Sequence, residues 1–248
     1  MKVSLGSMNS VVFGAFLALP TFFSSASPMI ADSLEMKNLG HSSILIKGED
    51  QSVLLNPFRA VGCASGLVEQ NISADIILAS SLLPDEGAKT SKGLFLVNPG
   101  SYRINGLSFE GFSSPHDRVG GRRFGMSTLW RWKQNGLTFA HLGGAVSPLT
   151  IQDRLLLGKP DVLFIAVGGG AKAYDAKEAA TVVQLLKPNV VIPVQYQRKG
   201  KDKIPSCDQQ GVEPFVELMK DYKVRKVGKK HTLKKYRVSK SKSIYLMD

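Results

Sequence analysis

The chain is poor in cysteine, poor in aromatic residues and free of low-complexity tracts. Only Cys63 and Cys207 occur in 248 residues, at a spacing that excludes a zinc knuckle or a Cys-x-x-Cys redox pair. Whether the two meet is left open; two free thiols is the simpler expectation. No Gly-x-Ser-x-Gly elbow is present, which argues against the commonest serine-hydrolase arrangement. Gly168-Gly169-Gly170 is followed by no Lys-Ser or Lys-Thr pair, so it reads as a tight turn and not as a phosphate loop. No apolar run is long enough to cross a bilayer comfortably, which takes about 20 residues.

The longest apolar stretch is at the start. Lys2 is followed by Val11-Val12-Phe13-Gly14-Ala15-Phe16-Leu17-Ala18-Leu19, then Pro20 and a small-residue exit through Ser24 and Ala26. This is the pattern of a secretory signal peptide over residues 1–26, with cleavage after Ala26 or, as a second candidate, Ala31. An uncleaved anchor is the alternative. The expected location is extracytoplasmic, in a periplasm or an equivalent compartment, and the expected folded domain covers residues 33–248.

Charge is plentiful and uneven. The formal net charge is +12. From Arg198 to the end, fifteen Lys and Arg stand against six Asp and Glu. A field of that sign favours anionic partners, so nucleic acid or anionic lipid is a candidate partner of the basic C-terminal region; a solvated surface is the simpler reading. The sequence leaves the oligomeric state open.

Strand signals dominate the first half. Leu34–Leu39, Ser43–Lys47 and Ser52–Leu55 alternate, with Gly48-Glu49-Asp50 as a hairpin turn. Asp75–Ser80 is a continuous apolar run. Further strands are expected at Leu94–Val97, Leu107–Phe112, Ser127–Trp132 and Leu137–His141, the last two joined by an Asn135-Gly136 hairpin. Trp130 and Trp132 share a face and read as core. Later, Thr150 with Asp153 and Asp175 with Glu178 form capping boxes for two helices, and Pro188 ends the second. Buried strands at Asp161–Val167 and Val190–Val194, a helix from about Glu213 to Tyr222, and strand-like segments at Val224–Val227, Thr232–Val238 and Ser243–Met247 complete the order. His41 and His141 are expected to be hydrogen-bonded structural residues, and His231, among lysines, to be exposed.

Several segments are distinctive together: Gly40-His41-Ser42, Asn56-Pro57-Phe58, Gly120-Gly121-Arg122-Arg123-Phe124-Gly125, Ala140-His141-Leu142-Gly143-Gly144 and Lys187-Pro188-Asn189-Val190-Val191-Ile192-Pro193-Val194-Gln195-Tyr196. In this order the chain resembles the metallo-β-lactamase superfamily, in particular the branch of zinc-dependent hydrolases similar to L-ascorbate-6-phosphate lactonase. The resemblance implies an α/β fold, an αββα sandwich of two mixed sheets with helices outside and a site at one rim. It also implies a pair of metal ions that lower the pKa of bound water from about 15.7 towards 7.

The ligand pattern of that family fails here. Where it has a His-x-His-x-Asp-His loop, this chain has Ser81-Leu82-Leu83-Pro84-Asp85-Glu86. Asp85 matches, Glu86 stands for the last His of that loop, and His116 matches the next His. Gly144 stands for the bridging Asp, Gln195 for the final His, and Asn56 for an Asp before Pro-Phe. The residual metal candidates are therefore Asp85, Glu86 and His116. A catalytic zinc wants about three protein donors and an open position, so no cofactor is expected and a single weakly held zinc or manganese ion is the most these donors allow.

Three functional readings follow. The first is a pseudoenzyme or anion-binding protein, with Arg118, Arg122 and Arg123 beside His116 as candidate binders of an anionic small molecule. The second is an active hydrolase of phosphoesters or lactones with a remodelled mononuclear site. The third is a basic module binding nucleic acid or anionic lipid. Ser80 or Ser81 with His116 and Asp85 as a catalytic trio is set against a loop of small polar residues left where ligands once stood.

Overall fold

The structure is a computed structural model, and it describes Met1 and residues 33–198, 204–205 and 207–247. The signal-peptide reading of residues 1–26 lies outside the described residues. No helix among the described residues is long and apolar enough to cross a membrane.

Two mixed sheets face each other. The first contains β1 (Ser33–Gly40), β2 (Ser43–Lys47), β3 (Ser52–Leu55), β4 (Ser73–Leu78), β5 (Lys92–Leu96) and, late in the chain, β13 (Lys230–Lys234). Their spatial order is β13-β1-β2-β3-β4-β5. The second contains β6 (Gly100–Ile104), β7 (Leu107–Pro115), β8 (Met126–Gln134), β9 (Leu137–His141), β10 (Val162–Ala166), β11 (Val190–Val194), β12 (Lys223–Lys226) and β14 (Ser243–Leu246). Their order is β12-β14-β11-β10-β9-β8-β7-β6. The strand–helix–strand half makes its parallel part, because a crossover through a helix returns the chain in the same direction.

The period of two in each strand sorts the apolar residues between layers. Ile44, Ile46, Val53, Leu55, Ile76 and Leu78 of the first sheet point inward, while Leu45, Leu54 and Ile77 form a smaller cluster on its outer face. In the second sheet Val162, Phe164, Val190 and Ile192 point inward, and Leu163, Ile165 and Val191 point outward. Each fully buried side chain of this kind contributes about 1.5–3 kcal/mol. Trp130 and Trp132 are core residues, as expected. Trp132 stacks on Phe139 at 5.0 Å, and the Trp130 indole N–H donates to the Ala79 carbonyl at 2.9 Å, tying the sheets together near the rim.

Helices α1 (Ile151–Leu157), α2 (Ala176–Leu186) and α3 (Glu213–Leu218) belong to the outer layer of the second sheet, with Leu157, Val183, Leu186 and Phe215 in its cluster. Both expected capping boxes form: Thr150 with Asp153 starts α1, and Asp175 with Glu178 starts α2. Lys187, just before Pro188, ends α2 in the left-handed region.

Some expectations are corrected. Strand β6 was not expected; it pairs with β7 across Asn105-Gly106, a second hairpin with both residues at positive φ. The strand expected over Thr232–Val238 is β13 followed by a short helix, α4 (Lys235–Ser239), because Leu233 and Val238 both turn into the core, five residues apart. The helix at Glu213 stops at Leu218. His231 is half-buried, edge-on to the Tyr245 ring at 5.0 Å.

Cys63 and Cys207 are not free: they form a disulfide across 144 residues of sequence. It joins the 3-10 turn Gly62–Ala64, after β3, to the segment between β11 and α3. Closing so long a loop restrains the unfolded chain, so reduction is expected to lower stability by about 2–4 kcal/mol. Paired denaturant melts with and without a reductant check this; coincident midpoints would refute it.

Candidate active site

The strands of both sheets deliver their ends to one rim, and every position at issue converges there. β4 runs into Ser80–Gly87, β7 into His116, β9 into His141–Gly144, and β11 into Gln195. The turn from β1 to β2 carries His41 and Ser42, and β3 runs into Asn56. His41, Asn56 and Gln195 all sit at positive φ, an unusual conformation for residues other than glycine.

At the centre lies an acid–imidazole pair. Glu86 and His116 are both fully buried, with Glu86 Oε1 2.7 Å from His116 Nε2. Neither ring nitrogen of His116, nor Glu86 Oε1, has a well-directed hydrogen bond among the described residues. Burial alone would raise the Glu86 carboxyl; His116 first, then Lys172 and His41, outweigh it and hold it below its ordinary value. The other Glu86 oxygen accepts from Ser80 Oγ at 3.2 Å.

A neutral network continues from there. Asn56 Nδ2 donates to Ser80 Oγ at 3.0 Å and to Ser42 Oγ at 3.2 Å, while Asn56 Oδ1 accepts from the Ser80 backbone N–H at 2.8 Å. Asn56 thus braces the start of the Ser80–Gly87 loop through its amide. Ser80 is bound to Glu86 and Asn56, Ser81 Oγ accepts from the Leu83 N–H at 3.1 Å, and Asp85 pairs elsewhere. A serine–His116–Asp85 trio is not assembled.

Asp85 carries the main surprise. Its carboxylate accepts a short hydrogen bond from the Lys172 ammonium, on the loop between β10 and α2. The Asp85 side chain is 10% exposed and that of Lys172 26%. Lys172 also lies 5.7 Å from the Phe124 ring centroid. Nothing in the sequence pattern singled out Lys172, and its partner is 87 residues away.

Gly144, at the position of the expected bridging Asp, has no room for a side chain while His116 and Glu86 stay where they are. A Cβ there would lie 2.0 Å from His116 Nε2 and 2.7 Å from Glu86 Oε2. Gly144 is not among the positive-φ glycines, so its requirement is for space and not for backbone freedom. Gln195 places Nε2 3.3 Å from His41 Nε2 and leaves its buried Oε1 without a partner among the described residues. His141 is not hydrogen-bonded as expected; both ring nitrogens are buried and have no partner among the described residues. Burial lowers its pKa to about 4, despite the opposing pull of Glu86, so the ring is neutral at pH 7. His41 is lowered too, again chiefly by burial, with Glu86 and Asp85 opposing.

The arginine loop is built on Asp117. Its carboxylate accepts from four backbone N–H groups, those of Val119, Gly121, Arg123 and Phe124, at 2.8–2.9 Å. Burial pushes this acid upward, and the four donors outweigh it and bring it to about 2. Arg118 is already engaged: its Nη2 lies 2.6 Å from Glu178 Oε2, and it donates to the Gly170 and Ala173 carbonyls. Arg122 donates to the Val119 carbonyl, and Arg123 lies 4.7 Å from the Phe124 ring. Both remain exposed.

The residues present do not fit a pair of metal ions. Asp85 is paired with Lys172, Glu86 and His116 face each other, and a side chain at position 144 would collide with both of them. No group of three or more His, Cys, Asp or Glu among the described residues has the geometry to hold a metal ion.

Two facing mixed sheets with helices outside and a rim site define a sandwich of the metallo-hydrolase type. The family description "Beta-lactamase superfamily domain" matches residues 35–195, and the chain belongs to this superfamily. It is 23% identical over 192 residues to a metal-dependent hydrolase of Thermococcus kodakarensis, covering 66% of this chain and 84% of the relative. The fold is shared with a candidate zinc-dependent hydrolase of the metallo-β-lactamase superfamily from Thermotoga maritima, at a TM-score of 0.68 and 23% identity over 86% of this chain and 98% of that one. It is also shared with Igni18, a metallo hydrolase from Ignicoccus hospitalis, at a TM-score of 0.58 and 16% identity, over 81% and 97% of the two chains.

Proposed function

We propose that the chain is an exported homologue of the superfamily's metal-dependent hydrolases that no longer carries out metal-dependent hydrolysis. The observation that carries this reading is the Lys172 ammonium on Asp85, a fixed internal cation bound to the one ligand of the His-x-His-x-Asp-His loop that the chain retains. The crowding at Gly144 supports it, since a bridging carboxylate there would first have to displace the His116 and Glu86 side chains. Export is supported by the composition of residues 1–26 and by the Cys63–Cys207 disulfide, a bond that persists in oxidising compartments. Any binding of a small anion at the rim falls to Arg122 and Arg123, because Arg118 is committed to Glu178.

Elemental analysis of the purified protein, after equilibration with zinc and manganese and then desalting, tests this. The expected result is well under one ion per chain and no turnover of generic phosphodiesters or lactones. Two ions per chain would overturn the proposal. One ion, lost together with measurable turnover in His116→Ala, would replace it with the mononuclear hydrolase.

A further inference from the structure

The basic character of the chain is gathered into one concave surface. Between Lys223 and Met247 there are ten Lys and Arg and no Asp or Glu. The topology folds this segment onto one side of the sandwich, since β12 is the last strand of one sheet and β13 the last strand of the other. All four residues of β12 are exposed, and α4 and the segment to Lys242 return beside them to β14. Together they line a cleft of about 850 Å³, with seven of the ten cations on its walls.

Two exposed carboxylates stand near this charge, Asp221 and Glu35, the latter the register partner of Thr232 across β1 and β13. Lys242 is 3.3 Å from Asp221, a pair 57% and 83% exposed and therefore weak. His231, also in the wall, is held below its ordinary pKa by burial first and then by Arg237 and Arg225. Lining a cleft with like charges raises self-repulsion, whereas solubility is served as well by spreading them out. A bound polyanion offsets that repulsion and releases its own counter-ions. The cleft also presents a ring: Tyr236 is 54% exposed, with the Arg237 guanidinium 5.7 Å from its centroid.

We propose that this cleft binds single-stranded nucleic acid, with phosphates along the cations of β12 and α4 and a base stacked on Tyr236. Concavity favours a flexible strand over a bilayer, which is flat at this scale. Only Val224 and Tyr236 among the large apolar residues of the segment are exposed, too few to insert into a membrane. The inference uses none of the rim residues and stands apart from the hydrolase question.

Fluorescence anisotropy of a labelled oligothymidylate with the full chain tests it. Affinity is expected to fall steeply with salt, with a logarithmic slope of about −3 to −4 for roughly five phosphate contacts. The triple variant K223E/R225E/K226E, altered only at exposed side chains, is expected to bind at least tenfold more weakly and to lose part of that slope. Tyr236→Ala is expected to cost about fivefold or more with the slope unchanged, as loss of stacking requires. Lys89→Glu, by the opposite edge of the first sheet, is expected to change nothing, and melting curves identify any unfolded variant. Absent or salt-insensitive binding would overturn the proposal, as would a folded triple variant that binds normally. Equal or tighter binding, per phosphate, to phosphatidylglycerol vesicles or inorganic polyphosphate would overturn it too.

Discussion

Gly144→Ala is expected to lose about 2–3 kcal/mol of stability, a large fraction of the roughly 5–15 kcal/mol that holds a typical domain together. The added Cβ would sit 2.0 Å from His116 Nε2. Both groups are fully enclosed, so the imidazole must swing away and abandon Glu86. Gly144→Asp, which restores the bridging residue of the superfamily, is expected to be worse and to recruit no metal. Urea denaturation supplies the number, and a double-mutant cycle supplies the cause. His116→Ala removes the obstructing ring, so Gly144→Ala should cost much less in that background. Additive effects, within about 0.5 kcal/mol, would show that the clash is not responsible.

Lys172→Met is the second large effect. It keeps the length of the side chain and removes the charge, leaving the Asp85 carboxylate nearly enclosed without its cation. Breaking a buried pair from one side costs about 3–5 kcal/mol. The Lys172 side chain is 26% exposed, so water reaches part of this pair and about 1–3 kcal/mol is expected. Adding Asp85→Asn removes the stranded charge, and the double variant should recover most of the loss. A double variant no more stable than Lys172→Met alone would mean that the lysine acts through its packing on Phe124 and not through its charge.

Local chemistry was legible from the sequence, and long-range pairing was not. Thr150 with Asp153, Asp175 with Glu178, and Asn135-Gly136 each carry their signal within four residues, and each forms the expected cap or turn. Strand β6 escaped because Gly100-Ser101-Tyr102-Arg103-Ile104 has few apolar positions to reveal a period; Asn105-Gly106 was the available clue. The replacement of metal ligands could be read position by position, since each missing donor is visible in its own residue. What took their place could not be read. Lys172 reaches Asp85 from a loop 87 residues later, and Cys63 meets Cys207 across 144 residues, contacts that only the folded topology creates. His141 illustrates the opposite failure: a buried histidine was expected to find partners, and among the described residues neither ring nitrogen has one, while the ring stands edge-on to Phe164.

The lysine-rich end strands have a second consequence, for self-association. A strand at the border of a sheet offers unpaired backbone groups to any other chain. Here β12 presents Lys223, Arg225 and Lys226, and β13 presents Lys230 and Lys234. A second copy docking border to border would bring these ammonium and guanidinium groups within about 5 Å of their own kind. Those two borders thus repel the molecule's own twins, so that it resists the fibrous stacking to which open sheets are prone.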